Sequence, residues 1–193
     1  MTTANNRKRV VITGMGALSP LGLTARELWE GLKAGKSGIA PLTLCDTEGY
    51  PCKIGGEVRG FDPANYMDVK DAKRLARFSQ LAVAATAEAL ADARLDLTRT
   101  DPDRLAVLLG VGAGGLPETE QQARVLAARG GMRISPFYIP MMLINMAAAN
   151  ISRIYGATGY TNTCATACAA GTQAIGEATE VIRRGAADVV ITG

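Results

Sequence analysis

The sequence predicts an α/β protein with a mostly parallel sheet, and three short apolar segments carry that prediction. Residues 10–14, 105–109 and 187–193 are apolar runs that end at glycine or lead into it. Such runs are typical of strands that are buried on both faces of a parallel sheet. A fourth short strand is expected near residues 159–163, and helices are expected between the strands.

The composition indicates a soluble globular protein with one sizeable core, or a large piece of a two-domain protein. The 193 residues are 48% hydrophobic and 20% charged, which is ordinary for that class. A net charge of +3 is too small to argue for nucleic acid, and no apolar run has the length of a membrane span. Four cysteines without a signal peptide favour a reducing cytoplasm over a disulfide framework. They lack paired C-x-x-C spacing, so no metal site is expected.

The first 66 residues contain one predicted strand, one predicted helix and two irregular segments. Residues 1–9 are polar and are expected to form a flexible tail. Thr24 has the position of a helix N-cap with Glu27 as its capping-box partner, and the helix is expected to end before Gly35. Residues 35–66 are rich in glycine and proline, which predicts a long irregular excursion.

A long helix is predicted at residues 71–94, and basic residues accompany its beginning. Its apolar positions recur at helical spacing and are expected to face the core. Four basic side chains also recur at that spacing and are expected to share another face: Lys70, Lys73, Arg74 and Arg77. A basic stripe is most often a solvated surface. The alternative is a docking site for an acidic partner, which charges of a single sign attract.

The segment after residues 105–109 has the G-x-G-x-x-G pattern of a dinucleotide site. It spans residues 110–115, and Pro117 is expected to begin a helix. The pattern is weak here, since no acidic residue follows a second strand at the distance needed to hold a ribose. A methionine-rich apolar helix is predicted at residues 141–154, where it would form core, a partner surface or a flexible ligand tunnel.

Cys168 is the strongest candidate for chemistry. It lies between the strand predicted at residues 159–163 and a helix predicted at 168–184. The free N–H groups and positive dipole end of a helix favour thiolate, the nucleophilic form, and Thr166 is a candidate cap. The helix carries no charge until Glu177, so its first half is expected to be buried, with the thiol facing a cavity. The alternative is that Cys168 is a small core residue.

Four segments together resemble the β-ketoacyl-acyl carrier protein synthases, the elongating condensing enzymes of fatty acid synthesis. They follow the family's order and are residues 9–16, 110–116 with Glu118 and Glu120, 133–137 with 145–148, and 163–174. The resemblance implies a thiolase-like fold of two similar α/β halves, each with a five-stranded, mostly parallel sheet. It implies that this chain is an incomplete N-terminal ketosynthase domain, which covers most of the first half with a buried nucleophile helix and lacks the second half.

The resemblance also implies a decarboxylative Claisen condensation. The Cys168 thiolate takes an acyl chain from acyl carrier protein, malonyl carrier protein loses carbon dioxide, and the resulting carbanion attacks the Cys168 thioester. In the family, the N–H of the nucleophilic cysteine is one oxyanion donor. A second donor, two histidines and a lysine come from the second half. This chain contains no histidine, so we expect it to be inactive alone.

Two further groups of residues take roles by the resemblance. The acyl pocket is expected to include Ala113, Phe137, Asn145 and Met146. Carrier-protein docking is expected at Lys70, Lys73, Arg74 and Arg133. The resemblance thus favours docking over a solvated surface for the basic residues. No cofactor is implied, because the acyl and malonyl thioesters arrive on the phosphopantetheine arm of acyl carrier protein. The complete enzyme is expected to be a cytoplasmic homodimer.

Three alternatives stand beside this hypothesis. The chain could be a non-catalytic ketosynthase fragment or subunit that acts in assembly or carrier-protein binding. It could be a dinucleotide-binding domain, which the missing ribose acid disfavours. It could be a degradative thiolase, which shares the fold but fits residues 134–136 less well. A Cys168 sulfur that points into solvent, or that lies in mid-helix with no adjoining pocket, would overturn the condensing-enzyme hypothesis.

Overall fold

A computed structural model describes residues 8–193, so the predicted tail at residues 1–9 lies mainly outside the described residues. The helices are α1 (Ala25–Lys33), α2 (Val69–Ala72), α3 (Arg77–Asp92), α4 (Leu116–Arg129), α5 (Tyr138–Met142), α6 (Met146–Tyr155) and α7 (Ala170–Arg183). The strands are β1 (Ile39–Pro41), β2 (Ile54–Gly56), β3 (Leu105–Gly110), β4 (Thr161–Cys164) and β5 (Val189–Thr192). Over this part of the chain, no helix combines the length and apolarity that a bilayer crossing requires.

A parallel sheet of three strands forms the centre, in the order β4-β3-β5. β3 is buried along almost its whole length because its residues are apolar on both faces. Leu105, Val107 and Leu109 pack with α3 and α6, whereas Ala106 and Leu108 pack with α7. This alternation follows from the two-residue period of a strand. It produces three layers and confirms the predicted α/β class.

An ion pair connects the beginnings of β3 and β5. Arg104 Nη2 lies 2.7 Å from Asp188 Oδ1, and Arg104 Nη1 donates to Gly185 O at 2.7 Å. The hydrogen bond from Arg104 lowers the pKa of Asp188. Because Leu105 and Val189 are partners in the ladder, the ion pair lies one residue before the first rung and supports the register of the two strands.

The strand predicted at residues 10–14 is wrong. In the structure this segment belongs to no strand, and Val11 and Ile12 are 61% and 74% exposed. The five residues have the same sequence as residues 189–193, where β5 does form. An apolar run is therefore compatible with a strand, but the presence of a partner decides whether one forms.

The segment that follows residues 10–14 lies directly on α3. Met15 N donates to Asp92 Oδ2 and Ala17 N donates to Glu88 Oε2, each at 2.9 Å. A Cβ on Gly16 would lie 2.0 Å from the carbonyl oxygen of Ala85, so only glycine allows this approach. Two carboxylates of α3 thus satisfy backbone groups that a sheet would otherwise satisfy.

α1 begins where the sequence predicts. Thr24 Oγ1 accepts a hydrogen bond from Glu27 N at 3.1 Å, as an N-cap does. The Glu27 carboxylate accepts from Leu23 N at 2.6 Å, one residue earlier than the predicted capping box. Glu88 of α3 accepts from Ala25 N at 2.9 Å. This carboxylate places negative charge at the positive end of α1.

The single helix predicted at residues 71–94 is wrong, because α2 and α3 are separate helices. Ala76 has φ of −65° and ψ of 156°, which ends the helical path and lets Leu75 and Ala76 both enter the core. The Gln80 side chain donates to Ala72 O at 2.8 Å and to Leu75 O at 3.2 Å. It thereby satisfies carbonyl groups that the break frees. The basic residues before the break lie on a short helix and a turn, so they do not line one face of a long helix.

Two other sequence predictions also need correction. The methionine-rich helix predicted at residues 141–154 is interrupted, because Leu143 has φ of −69° and ψ of 129° between α5 and α6. The irregular excursion predicted at residues 35–66 contains the antiparallel β1–β2 pair. The composition of residues 35–66 did not predict this pair, because each strand has only three residues and includes glycine or proline.

Glu57 holds the loop that connects β1 and β2. Its Oε1 accepts from Thr43 N and Leu44 N, both at 2.8 Å, and its Oε2 accepts from Thr43 Oγ1 at 2.9 Å. These bonds favour the charged form: that from Leu44 N, followed by that from Thr43 N, lowers the pKa of Glu57 from 4.5 to about 2. The stabilisation by Glu57 is therefore present above pH 4.5 and is lost as the pH falls toward 2.

Glu57→Gln is expected to lower the free energy of unfolding at pH 7 and to remove part of its decline between pH 4.5 and 2. Glutamine keeps one oxygen acceptor but loses the charge that strengthens the bonds. Chemical denaturation at several pH values measures both effects. Glu48→Gln is the control, since it removes a carboxylate of the same loop that accepts none of these bonds. An equal change of the pH dependence in both variants would contradict the prediction.

Candidate active site

Cys168 lies at the junction of β4 and α7, where the sequence predicts it. β4 ends at Cys164, whose carbonyl oxygen accepts from Val111 N at 2.9 Å. A 3-10 turn at Ala167–Ala169 carries Cys168, and α7 begins directly after it. The thiol thus belongs to the turn before the helix, close to the end where backbone N–H groups point outward.

The expectation that Cys168 faces a cavity in a buried helix is wrong for this chain. Cys168 is exposed, and neither of the two described cavities is lined by it. α7 buries one stripe of residues against the sheet, namely Ala170, Ala174, Ala178 and Val181. Its opposite face, with Thr172, Gln173 and Ile175, is exposed. Small apolar residues permit close packing on one side of a helix, but they do not require burial on every side.

The expected cap is also wrong, because the Thr166 side chain makes no capping hydrogen bond. Instead the turn has an unusual backbone. Ala167 has φ of +49°, in the left-handed region that residues with a Cβ rarely adopt. Such strain persists only where the surrounding structure imposes it, and it is frequent at active sites. The strained residue directly precedes Cys168.

The glycine loop at residues 110–115 packs against this turn. A Cβ on Gly110 would lie 2.0 Å from Ala170 O, and a Cβ on Gly112 would lie 3.0 Å from Ala167 O. The first contact requires glycine, and the second leaves little room for any side chain. The loop and the nucleophile turn are therefore in direct backbone contact.

The same geometry argues against a dinucleotide site. Gly115, the N-cap of α4, has φ of +63°, and a Cβ on it would lie 2.3 Å from Met142 Cα. Gly114 packs on the Phe78 ring, 2.8 Å from its nearest atom by the same measure. Backbone and side chains of the protein occupy the space beside these glycines, where a pyrophosphate would need to approach a Rossmann loop. The glycines of this loop serve close packing.

Neither of the two described cavities is lined by all four residues assigned to the acyl pocket. Ala113 lines a cleft of about 1090 Å³ that also touches residues 10–17, α1, α3 and α7. Asn145 lines a separate cavity of about 250 Å³ beside β4. Met146 begins α6. Phe137 is 40% exposed, and the Arg74 guanidinium carbon lies 5.0 Å from its ring centroid. Their role in acyl binding stays a prediction.

The four residues assigned to carrier-protein docking, Lys70, Lys73, Arg74 and Arg133, are all exposed. None of them pairs with a carboxylate within residues 8–193. Asp71, the acidic residue among them, pairs with Arg153 at 3.0 Å. Arg77, by contrast, donates to Val58 O at 2.7 Å. Arg77 is therefore a structural residue, and the other basic side chains remain available to a partner.

Sequence reasoning missed the strained Ala167 and the contact that Gly112 makes with it. Neither residue type signals such a role, since alanine rarely adopts positive φ and glycine has many uses. The described residues contain no cluster of three or more histidine, cysteine, aspartate or glutamate side chains that could hold a metal ion.

Comparison with known proteins identifies the family. A family model described as "Beta-ketoacyl synthase, N-terminal domain" matches residues 7–193, which is nearly the whole chain. The chain belongs to the β-ketoacyl synthase family. The expectation that an exposed Cys168 would overturn the condensing-enzyme hypothesis is therefore wrong, because Cys168 is exposed and the family match extends along nearly the whole sequence. The exposure contradicts only the expected burial.

Two curated members of the family show how much of a full-length relative the chain represents. It is 44% identical over 187 residues to 3-oxoacyl-[acyl-carrier-protein] synthase 2 of Synechocystis sp., covering 97% of this chain and 45% of that protein. It is 43% identical over 189 residues to the synthase of the same name from Staphylococcus aureus strain COL, covering 98% of this chain and 46% of that protein. The chain spans less than half the length of these relatives.

Solved ketosynthases confirm the thiolase-like fold. The ishigamide ketosynthase/chain length factor superposes with a TM-score of 0.91 at 30% identity, over 97% of this chain and 47% of that one. The AntDE:AntF complex, a type II PKS acyl-carrier protein with its ketosynthase bound to the hexaketide, gives 0.83 at 28% identity, over 97% of this chain and 51% of that one.

Ala167→Gly is expected to raise the free energy of unfolding by about 1 kcal/mol. The left-handed conformation costs a residue with a Cβ about 1–2 kcal/mol, and the greater backbone freedom that glycine loses on folding offsets part of the gain. Chemical denaturation of the 193-residue chain measures the change. Ala169→Gly is the matched control, because Ala169 has an ordinary φ of −87°. That control should lose stability, and an equal loss in the two variants would show that Ala167 is unstrained.

Proposed function

We propose that this chain carries the nucleophile of a 3-oxoacyl-[acyl carrier protein] synthase of fatty acid biosynthesis. The observation that carries the proposal is the position of Cys168, on a strained turn between β4 and α7 within a ketosynthase sequence. The two curated relatives named above are 3-oxoacyl-[acyl-carrier-protein] synthases. A cysteine on a turn before a helix can present its sulfur to a carbonyl carbon without backbone interference.

The proposed reaction has two stages. In the first, the Cys168 thiolate attacks the acyl thioester carbonyl, and the phosphopantetheine arm of the carrier leaves as a thiolate that then takes a proton from solvent, so the acyl group becomes bound to the Cys168 sulfur. In the second, malonyl carrier protein releases carbon dioxide, and the electron pair of the broken carbon–carbon bond forms a carbanion. The carbanion attacks the acyl carbon, a new carbon–carbon bond forms, and the Cys168 thiolate leaves.

We further propose that the chain alone does not complete this cycle. Decarboxylation in this scheme needs hydrogen-bond donors for the developing enolate, and the chain has no histidine to supply them. The exposed Cys168 also lacks the exclusion of water that protects a carbanion. A second half, like that of the longer relatives, would provide both. The complete protein would then act without a cofactor, as a cytoplasmic homodimer.

Lys70, Lys73, Arg74 and Arg133 form the proposed docking surface for acyl carrier protein. Their exposure and the absence of competing carboxylate pairs within the described residues support this role. The AntDE:AntF complex contains an acyl-carrier protein with its ketosynthase. An acidic partner would be attracted by this concentration of one sign of charge.

A non-catalytic fragment or subunit is the second candidate function. The exposed Cys168 and the absence of histidine favour it for the 193-residue chain by itself. It would retain carrier-protein binding through the basic surface without condensation.

Cys168 is expected to react with iodoacetamide faster than the other exposed cysteines, Cys45 and Cys52, when the 193-residue chain is labelled. The reason is its place before the N-terminus of α7, where unpaired backbone N–H groups can stabilise the negative charge that develops on an attacking sulfur. Mass spectrometry with fragment ions measures labelling at each cysteine, and guanidinium-unfolded protein is the control for intrinsic differences. Equal labelling of Cys45, Cys52 and Cys168 in the folded chain would contradict an activated nucleophile.

Charge reversal at the docking surface, with Lys73→Glu and Arg74→Glu together, is expected to weaken binding of an acidic acyl carrier protein at least about tenfold at low salt. The loss should shrink above 0.3 M salt, where exposed charges are screened over about 5 Å. Titration calorimetry with the apo carrier protein measures it. Arg99→Glu is the control, because Arg99 is exposed beyond the opposite end of α3. An unchanged affinity in the double variant would remove the docking proposal.

A further inference from the structure

Gly112 lies beside the turn that carries Cys168, with little room for a side chain between them. A Cβ on Gly112 would lie 3.0 Å from Ala167 O, 3.3 Å from Ala167 C and 3.4 Å from Ala167 Cα. All three are backbone atoms of the residue before Cys168, so they cannot swing away as the end of a flexible side chain would. The turn would need to shift by a few tenths of an ångström to admit a methyl group.

Two common reasons for a glycine do not apply at this position. Gly112 is not among the glycines with positive φ. It is exposed, so a side chain there would not disturb the core. Gly112 also lines the cleft of about 1090 Å³, but the Ala167 backbone is the nearest obstacle to a side chain.

Ala167 is held in its left-handed conformation between two neighbours of different origin. The chain reaches it from β4 on one side, and the glycine loop closes against it on the other. A residue at φ of +49° relaxes toward ordinary values unless its surroundings prevent this. The glycine loop leaves little room for a methyl group between Gly112 and Ala167, and any shift of Ala167 passes through one peptide bond to Cys168.

We propose that Gly112 is a positioning residue for Cys168: its missing side chain lets the glycine loop fix the strained turn and thereby the direction of the thiol. The inference rests on the proposed role of Cys168 as the nucleophile. The inference concerns how the glycine loop fixes the geometry of the turn, and this geometry can be tested without measuring condensation activity.

A double-mutant cycle on the 193-residue chain tests the contact. Iodoacetamide labelling at Cys168 is measured by mass spectrometry, relative to exposed Cys52 in the same sample. Gly112→Ala is expected to lower the Cys168 rate at least about threefold, because a displaced turn carries the sulfur away from the N-terminal N–H groups of α7 that stabilise negative charge on it. Ala167→Gly lets the backbone at residue 167 move more freely. It should therefore also lower the labelling rate of Cys168, although it raises the free energy of unfolding.

The double variant should react like Ala167→Gly alone. In that variant the turn is no longer held in one geometry, so the methyl group added at Gly112 causes no further fall in the labelling rate. Gly176→Ala is the control. It adds the same methyl group on α7, where no atom lies within 4 Å, and should leave the rate unchanged.

Three results would overturn the inference. They are an unchanged Cys168 rate in Gly112→Ala, effects of the two single variants that simply multiply, and an equal fall in Gly176→Ala. If circular dichroism shows that Gly112→Ala does not fold, an unchanged rate in Ala167→Gly alone overturns it and a lowered rate supports it. Equal labelling of Cys168 and Cys52 in the wild-type chain would instead defeat the proposed nucleophile, while the ratios between variants still decide the role of Gly112.

Discussion

The register of the parallel β3–β4 pair determines where the candidate nucleophile lies. Gly110 pairs with Cys164, so the chains that leave the two strands run side by side. The next backbone hydrogen bond, from Val111 N to Cys164 O at 2.9 Å, keeps them together past the sheet edge. The start of α7 follows closely, and its Ala170 backbone excludes a side chain at Gly110. The glycines that mimic a phosphate-binding motif are therefore a consequence of close packing against α7 and the elements around the loop.

The strand that supports this arrangement is also the best-buried element of the protein. β3 contributes to both hydrophobic cores, with Leu105 and Val107 on one face and Ala106 and Leu108 on the other. Arg104 fixes its beginning through the ion pair with β5. A site on a loop is only as well positioned as the scaffold below it. Here the strained turn stands at the end of a scaffold that is packed on both sides.

The sequence predicted the elements whose causes are local and failed where the cause is a distant partner. Thr24 caps α1 through a hydrogen bond three residues along, and Cys168 lies at the predicted junction. Residues 10–14 and 189–193 are identical in sequence, yet only the second segment finds a neighbour in the sheet. The break at Ala76 accompanies the burial of Leu75 in the core, and the approach of Gly112 to Ala167 brings together residues that are 55 positions apart in the sequence. No pattern of residue types within one segment contains that information.

Positioning of the thiol and exclusion of water from it are separate properties, and this chain provides the first without the second. Ala170, Ala174 and Ala178 seat α7 against the sheet, and this contact fixes the turn before the helix. The same helix leaves Ile175 45% exposed on its other face. Alkylation by a small reagent needs only an accessible sulfur. Condensation also needs a dry site and donors for a developing charge. A fragment with this geometry can therefore react with a small electrophile and still fail to form a carbon–carbon bond.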